Sequence, residues 1–134
     1  MKPNPRAEAE RWLAQARSDL AFAQHGLDGG FHAQACFMCQ QAGEKALKAL
    51  HYLGGARFVT SHSLVRLLGA VTGQHPELSD LGEAARQLDL YYVSTRYPNG
   101  LPDDIPANVF SRAQASDAVM LARRIVDTVA ERME

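Results

Sequence analysis

Apolar residues recur every three or four positions along the first quarter of the chain, as they do on one face of an α-helix. Leu13 and Leu20 belong to this face. Asn4 followed by Pro5 is typical of a helix N-terminus, where the asparagine side chain caps the first turn. The pattern predicts a first helix from Pro5 to Gly26, where glycines begin to accumulate.

A second amphipathic segment runs from Phe31 to Leu53 and is followed by Gly54 and Gly55. Its apolar face comprises Ala35, Cys36, Cys39, Ala42, Ala46, Ala49, Leu50 and Leu53. Because only a short glycine-containing connection separates the two segments, we expect these helices to pack antiparallel.

The middle of the chain predicts a short third helix and a longer fourth one. Ser61 is the expected N-cap of the third helix, which ends before Gly73. The fourth helix is expected to begin at Pro76. It must end near Arg96, because the residue before Pro98 is pushed out of the helical region.

A proline-containing loop follows the fourth helix, and the last helix is expected from Asn108 to Arg132. Loops of this length in small domains often carry function. Together the segments predict an all-α fold, an antiparallel up-and-down four-helix bundle with one additional short helix. We expect residues 1–134 to form a single domain.

Composition agrees with this fold class and limits the function. The 134 residues include 21 alanines and only 2 isoleucines, a balance that favours helices over strands. A formal net charge of −1 excludes broad electrostatic attraction to nucleic acids, so any such contact must be local. The chain has neither an apolar leader nor an apolar run long enough to span a membrane, which predicts a cytoplasmic protein without a membrane partner.

Three segments resemble the HEPN domain family. Residues 41–49 are similar to its second-helix core, Gln-Ala-x-Glu-Lys-x-x-Lys-Ala. Residues 62–64, His-Ser-Leu, are similar to a short segment of the family, and residues 92–98 are similar to its Tyr-x-x-x-Arg-Tyr-Pro ending of the fourth helix. The resemblance covers essentially the whole chain and keeps the order and approximate spacing of the segments.

The resemblance implies a bundle that dimerises, is commonly encoded beside a minimal nucleotidyltransferase, and binds nucleotides or RNA. It also implies a two-gene system of the toxin–antitoxin kind. Some relatives are ribonuclease toxins with an Arg-x(4–6)-His motif late in the bundle. Here all five histidines precede the predicted fourth helix, so neither Arg86 nor Arg96 is followed by one.

Four polar residues of the second helix share one face: Gln41, Glu44, Lys45 and Lys48. One interpretation is that Glu44 and Lys48 form an exposed i,i+4 pair that stabilises the helix by about 0.3–0.5 kcal/mol. The other is that Lys45 and Lys48 bind a phosphate, with Gln41 and Glu44 in support.

A second group, Asp89, Tyr92 and Arg96, shares a face of the fourth helix. Arg96 at a helix C-terminus could simply form a clamp to Asp89 or to loop carbonyls. Alternatively, Arg96 joins Lys45 and Lys48 in a phosphate site while Tyr97 stacks on a base and Asp89 and Tyr92 support it.

Arg57 and His62 have the Arg-x(4)-His spacing, but they flank a loop, and chance accounts for such a match. They remain the candidate pair for a metal-independent ribonuclease, with Arg57 holding the phosphate and His62 moving the proton. Cys36 and Cys39 form a C-x-x-C within a helix and are expected to be buried apolar residues. The sequence predicts no metal site and no cofactor.

The apolar residues exceed what a small bundle can enclose. Trp12 with Phe22, and the side of the last helix that carries Val119 and Val126, are the faces expected to remain uncovered. We therefore expect a homodimer.

Three functions stay open. The first is a homodimeric module that binds a nucleotide, RNA or a nucleotidyltransferase partner through Lys45, Lys48, Arg96 and Tyr97. The second is the ribonuclease that uses Arg57 and His62. The third is a structural scaffold in which the charged residues only stabilise helices.

Overall fold

The structure, a computed structural model, describes residues 4–134, and helices are the regular elements of this part of the chain. The α-helices are α1 (Pro5–Asp28), α2 (His32–Leu53), α3 (Leu64–Val71), α4 (Gly82–Asp89), α5 (Tyr91–Ser94), α6 (Pro106–Val109) and α7 (Arg112–Arg132). Two 3₁₀ turns span Pro76–Leu81 and Pro98–Gly100. Residues 1–3, which belong to the predicted single domain, lie outside the described residues.

The three long helices α1, α2 and α7 pack on one another, with α2 in the centre of the bundle. α3 and α4 cover the side of α2 that α1 and α7 leave open. One continuous hydrophobic core fills the space between the helices, built largely from alanine and leucine. The predicted all-α bundle with an additional short helix is therefore confirmed.

The end of α1 and the start of α3 differ from the prediction. α1 continues past Gly26 to Asp28, and the left-handed turn is made by Gly30 with φ 84°. The N-cap of α3 is Ser63, whose hydroxyl accepts a hydrogen bond from the Arg66 amide, and not Ser61. Ser61 instead accepts from the Ser63 amide one step earlier. Both serines can cap, and the sequence did not distinguish them.

The predicted fourth helix is not continuous. Its first part is the 3₁₀ turn Pro76–Leu81, and α4 and α5 are separated at Leu90, whose amide bonds to the Gln87 carbonyl in a tightened turn. The periodicity of apolar residues does not separate α-helical from 3₁₀ turns over such short stretches. The turn at Leu90 separates α5, which carries Tyr92, from α4.

The last helix also begins later than predicted. α7 starts at Arg112, after a capping box in which Ser111 accepts from the Gln114 amide and the Gln114 side chain accepts from the Ser111 amide. Asn108 belongs to the separate turn α6. The Ser-x-x-Gln signature of the sequence is the signal that marks the start at Ser111.

Gly43 lies where α2 meets three other elements of the bundle. A Cβ atom at this position would lie 2.5 Å from a methyl carbon of Leu64 and 3.3 Å from one of Leu88. Both leucines are fully buried, so neither can move into open space. The glycine thus allows α3 to approach α2 closely, which brings the residues before α3 against Glu44, the next residue of α2.

One face expected to remain uncovered is in fact buried. Val119 and Val126 are 4% and 1% exposed within the single chain, because α7 packs this side against the bundle. Trp12 is half-buried and stacks on Tyr52 at 5.1 Å between ring centroids. Phe22 remains 60% exposed, as expected. Within residues 4–134, no helix combines the length and the apolar character needed to cross a membrane.

The same substitution should have opposite effects at two helical glycines. We expect Gly43→Ala to lower the free energy of unfolding by about 1–2 kcal/mol, because overpacking outweighs the better helix propensity of alanine. Gly69→Ala in α3 should raise it by up to about 1 kcal/mol, since nothing lies within 4 Å of the added carbon. Urea unfolding measures both, and equal effects would contradict the close packing at Gly43.

Candidate functional site

A buried carboxylate lies at the centre of the candidate site. The Glu44 side chain on α2 is 5% exposed and accepts three hydrogen bonds. Lys48 Nζ donates to its Oε2 at 3.1 Å, while Gln40 Nε2 and His62 Nδ1 both donate to Oε1 at 3.2 Å. A buried carboxylate without such partners would be strongly destabilising, so these contacts hold one another in place.

The Glu44–Lys48 pair has the predicted spacing but not the predicted exposure. The Lys48 side chain is also only 5% exposed, and its ammonium lies 5.7 Å from the centroid of the Trp12 ring. The pair was expected to lie in solvent. It is buried because α1 carries Trp12 over this part of α2, which helical spacing alone does not reveal.

Lys45, the residue after Glu44, makes a separate ion pair with α1. Its Nζ lies 2.5 Å from Asp19 Oδ2, and the Asp19 carboxylate also accepts from Gln15. Lys45 keeps 22% of its side chain exposed, whereas Asp19 keeps only 7%. Both lysines that the sequence predicts as phosphate ligands are thus already paired with an acidic group.

His62 is held by several contacts although its side chain is 55% exposed. Its backbone carbonyl accepts from Gln40 Nε2 at 3.0 Å, and its Nδ1 donates to Glu44. The ring stacks on Tyr92 with centroids 4.9 Å apart and an interplanar angle of 17°. The other ring nitrogen, Nε2, has no hydrogen-bond partner among residues 4–134. One edge of the imidazole is therefore fixed and the other is available to a ligand.

Asp89 fixes the segment that follows His62. Its carboxylate accepts from the Ser63 hydroxyl at 2.9 Å, the Leu64 amide at 2.7 Å and the Val65 amide at 3.2 Å. These amides lie at the N-terminus of α3, where a carboxylate is favoured by the helix dipole. The expected clamp between Arg96 and Asp89 does not form, because Asp89 is occupied by α3.

Arg96 lies on the other side of the site, at the end of α5. Its Nε donates to the Tyr92 carbonyl at 2.7 Å, which is a carbonyl of α5 and not one of the loop carbonyls that were expected. The guanidinium carbon lies 4.5 Å from the ring centroids of Phe37 and Tyr92 and 5.1 Å from that of Tyr97. Arg96 is exposed, and no carboxylate of residues 4–134 forms an ion pair with it.

The predicted site residues fall into two groups. Arg96, Tyr97 and Tyr92 come together, and the Tyr92 ring also contacts His62. Lys45 instead lines a depression beside Trp12, apart from the groove that contains Arg96. We call the cluster of Glu44, His62, Asp89, Tyr92 and Arg96 the His62 site.

Arg57 and His62, the pair with ribonuclease spacing, line different depressions of the surface. Arg57 lies beside Tyr52 and the start of α1, whereas His62 lies beside Asp89 and Tyr92. The cation that shares an aromatic ring with His62 is Arg96. Counting a motif along the chain does not reveal this arrangement, because His62 and Arg96 belong to distant segments.

Gln40 and Gln41 show what the sequence could and could not identify. Gln41 was singled out and donates to the Gln40 side chain at 2.7 Å, one step away from Glu44. Gln40 itself was missed, although it is fully buried and contacts both Glu44 and the His62 carbonyl. The available signal was a polar residue on the otherwise apolar face of α2.

The two cysteines are part of the core. Both are fully buried, and burial raises the pKa of the Cys36 thiol to about 12 and that of Cys39 further. A protonated buried thiol is unreactive, so the C-x-x-C is a packing feature, as predicted. Among residues 4–134, no three His, Cys, Asp or Glu side chains converge as a metal site.

The chain is similar to known proteins over most of its length. The family model of the HEPN domain matches residues 9–133. Among solved structures, TT1696 from Thermus thermophilus is 42% identical with a TM-score of 0.88, and the match covers 92% of this chain and 97% of that one. ST0689, an archaeal HEPN homologue, is 31% identical with a TM-score of 0.79, covering 95% and 98% of the two chains.

Two further proteins are also similar to this chain. An HEPN domain protein of Thermotoga maritima, TM0613, is 31% identical with a TM-score of 0.72, and the match covers 90% of this chain and 95% of that one. Human sacsin is 30% identical over 112 residues, or 81% of this chain. The matched region is only 2% of sacsin, so this chain is similar to one small part of that protein.

Proposed function

This chain belongs to the HEPN domain family, and we propose that it is a module that binds nucleotides or RNA through the His62 site. In this proposal Arg96 contacts a phosphate, Tyr97 stacks on a base, and Tyr92 and Asp89 keep the surrounding elements in place. The proposal rests above all on one observation. The Arg96 guanidinium is exposed, packs against three aromatic rings and forms no ion pair with any carboxylate of residues 4–134.

The chemistry of Arg96 supports a phosphate ligand. Its Nε is bonded to a backbone carbonyl, which fixes the plane of the guanidinium and leaves both terminal nitrogens to donate outward. Two parallel donors match two phosphate oxygens, and a side chain that is already ordered loses less entropy on binding.

Lys45 and Lys48 have a smaller part in the proposal. Lys48 is buried with Glu44 and acts by fixing that carboxylate. Lys45 is partly exposed, and we assign it a phosphate contact only where the ligand displaces Asp19. Gln41 supports the same network through Gln40. The cation that meets the ligand first is Arg96.

The proposal includes a homodimer. HEPN domains generally dimerise, and apolar side chains around α5 are exposed in the single chain. Leu90 is 66% exposed and Val93 is 51% exposed. Because the Val119 and Val126 side of α7 is buried within the single chain, we propose Leu90 and Val93 as the self-association face instead. From the family resemblance alone, we also propose a minimal nucleotidyltransferase partner in a two-gene toxin–antitoxin-like system.

Replacing Arg96 should weaken RNA binding without unfolding the chain. We expect Arg96→Ala to reduce the affinity for a fluorescently labelled single-stranded RNA about tenfold or more, because a charge-assisted contact is lost. Arg17→Ala is the matched control, since Arg17 on α1 is exposed and forms no ion pair with residues 4–134. Fluorescence anisotropy measures both. Equal affinities of the two variants would contradict the proposed phosphate contact.

A second candidate function is metal-independent RNA cleavage. The observation that favours it is the half-exposed His62 ring. Its Nδ1 is hydrogen-bonded to Glu44, whereas its Nε2 has no hydrogen-bond partner among residues 4–134. In this alternative His62 moves the 2′-hydroxyl proton and Arg96 stabilises the charged phosphate. The sequence hypothesis gave the second role to Arg57; we assign it to Arg96 because Arg96 contacts the Tyr92 ring on which His62 stacks.

The cleavage candidate is tested with RNA and a chelator. If it is right, the wild-type protein cleaves single-stranded RNA in the presence of EDTA, and His62→Ala slows this at least about 100-fold. His75→Ala, which changes a histidine that contacts Glu77 outside the His62 site, should leave the rate unchanged. Absence of cleavage, or equal rates for wild type and His62→Ala, would remove this candidate and leave the binding function.

A further inference from the structure

An apolar pocket lies between the end of α1 and the start of α2, outside the His62 site. Its volume is about 330 Å³. Phe22, Phe31, Ala35 and Met38 supply most of the wall, and Gln34 supplies a polar side chain. Both phenylalanines are 60% exposed, so two aromatic faces are turned toward solvent around one cavity.

The pocket continues toward Arg96. Phe22, Gln34 and Met38 also line the adjoining groove, whose opposite side is formed by Phe37, Thr95 and Arg96. A ligand seated in the pocket can therefore extend directly to the guanidinium.

The lining of the pocket selects a ligand class. A volume of this size, at the lower end of about 300–1,000 Å³ for ligand sites, holds one small ring system. Exposed phenylalanine rings offer stacking surfaces for a planar group. The Gln34 amide has both donors and an acceptor and bonds to no other group within residues 4–134, which suits the hydrogen-bonding edge of a base. A hydrocarbon chain would use the walls but not this amide.

We propose that this pocket is a nucleobase subsite: an aromatic base stacks against Phe22 and Phe31 with its edge at Gln34, while the attached phosphate is held by Arg96. The ligand class is a nucleoside 5′-monophosphate, either free or as the 5′-terminal nucleotide of an RNA. This inference rests on the proposed function and deepens it, because it assigns the base to a cavity instead of to Tyr97 alone.

The subsite is tested by comparing adenosine 5′-monophosphate with ribose 5-phosphate in an NMR or calorimetric titration. The wild-type protein should bind the nucleotide at least about tenfold more tightly, because base stacking is added to the phosphate contact. Phe31→Ala should abolish that difference and leave the affinity for ribose 5-phosphate unchanged. Arg96→Ala should weaken the binding of both compounds.

Two further variants control for indirect effects. Phe58→Ala truncates a phenylalanine that is 86% exposed and outside the pocket, and should change neither affinity. Phe31→Leu keeps apolar bulk beside Gly29 but removes the ring, and should lose the advantage of the nucleotide as Phe31→Ala does.

The outcomes separate this inference from the proposed function. If ribose 5-phosphate binds through Arg96 and the base adds nothing, the subsite is wrong and the phosphate site stands. If decanoate binds as tightly as the nucleotide, the pocket is a hydrocarbon site and the inference is wrong. If neither phosphate compound nor RNA binds, both proposals are wrong. A 5′-phosphorylated oligoadenylate that binds more tightly than the nucleotide supports an RNA end, and equal binding supports the free nucleotide.

Discussion

The candidate site depends on one buried carboxylate. Glu44 lies in the interior of the bundle and remains compatible with folding because Gln40, Lys48 and His62 donate to it. Two of these donors lie on α2 itself, and the third belongs to the loop before α3. The need to satisfy this one carboxylate therefore ties that loop to the centre of the bundle and orients a histidine that would otherwise move freely at the surface.

Ordered contacts continue from His62 through Tyr92 to Arg96, which lines the groove. The His62 ring stacks on Tyr92, and the same tyrosine provides both a ring face and a carbonyl for Arg96. Asp89 holds the start of α3 so that this stack can form. A hydrogen-bonded interior and a cationic, aromatic exterior thus form a continuous arrangement, which is the kind of support that a preorganised binding site requires.

Much of the fold was predictable from the sequence, because helices follow from the local periodicity of apolar residues. The long helices, the short α3 and the three family segments were all visible in the sequence, and Glu44 with Lys48 was correctly paired by spacing. The burial of that pair was not predictable, because it depends on Trp12 from α1. The contact of both His62 and Arg96 with the Tyr92 ring was missed for a similar reason, since it depends on how α3 and α5 pack.

The most direct test of this account is the tautomer of His62. A long-range ¹H–¹⁵N NMR spectrum, recorded where the ring is neutral, should show the proton on Nδ1, because the Glu44 carboxylate accepts there. His25, whose side chain bonds to no residue of 4–134, provides a reference ring in the same sample. A His62 ring protonated on Nε2, or indistinguishable from His25, would contradict the claim that Glu44 orients it.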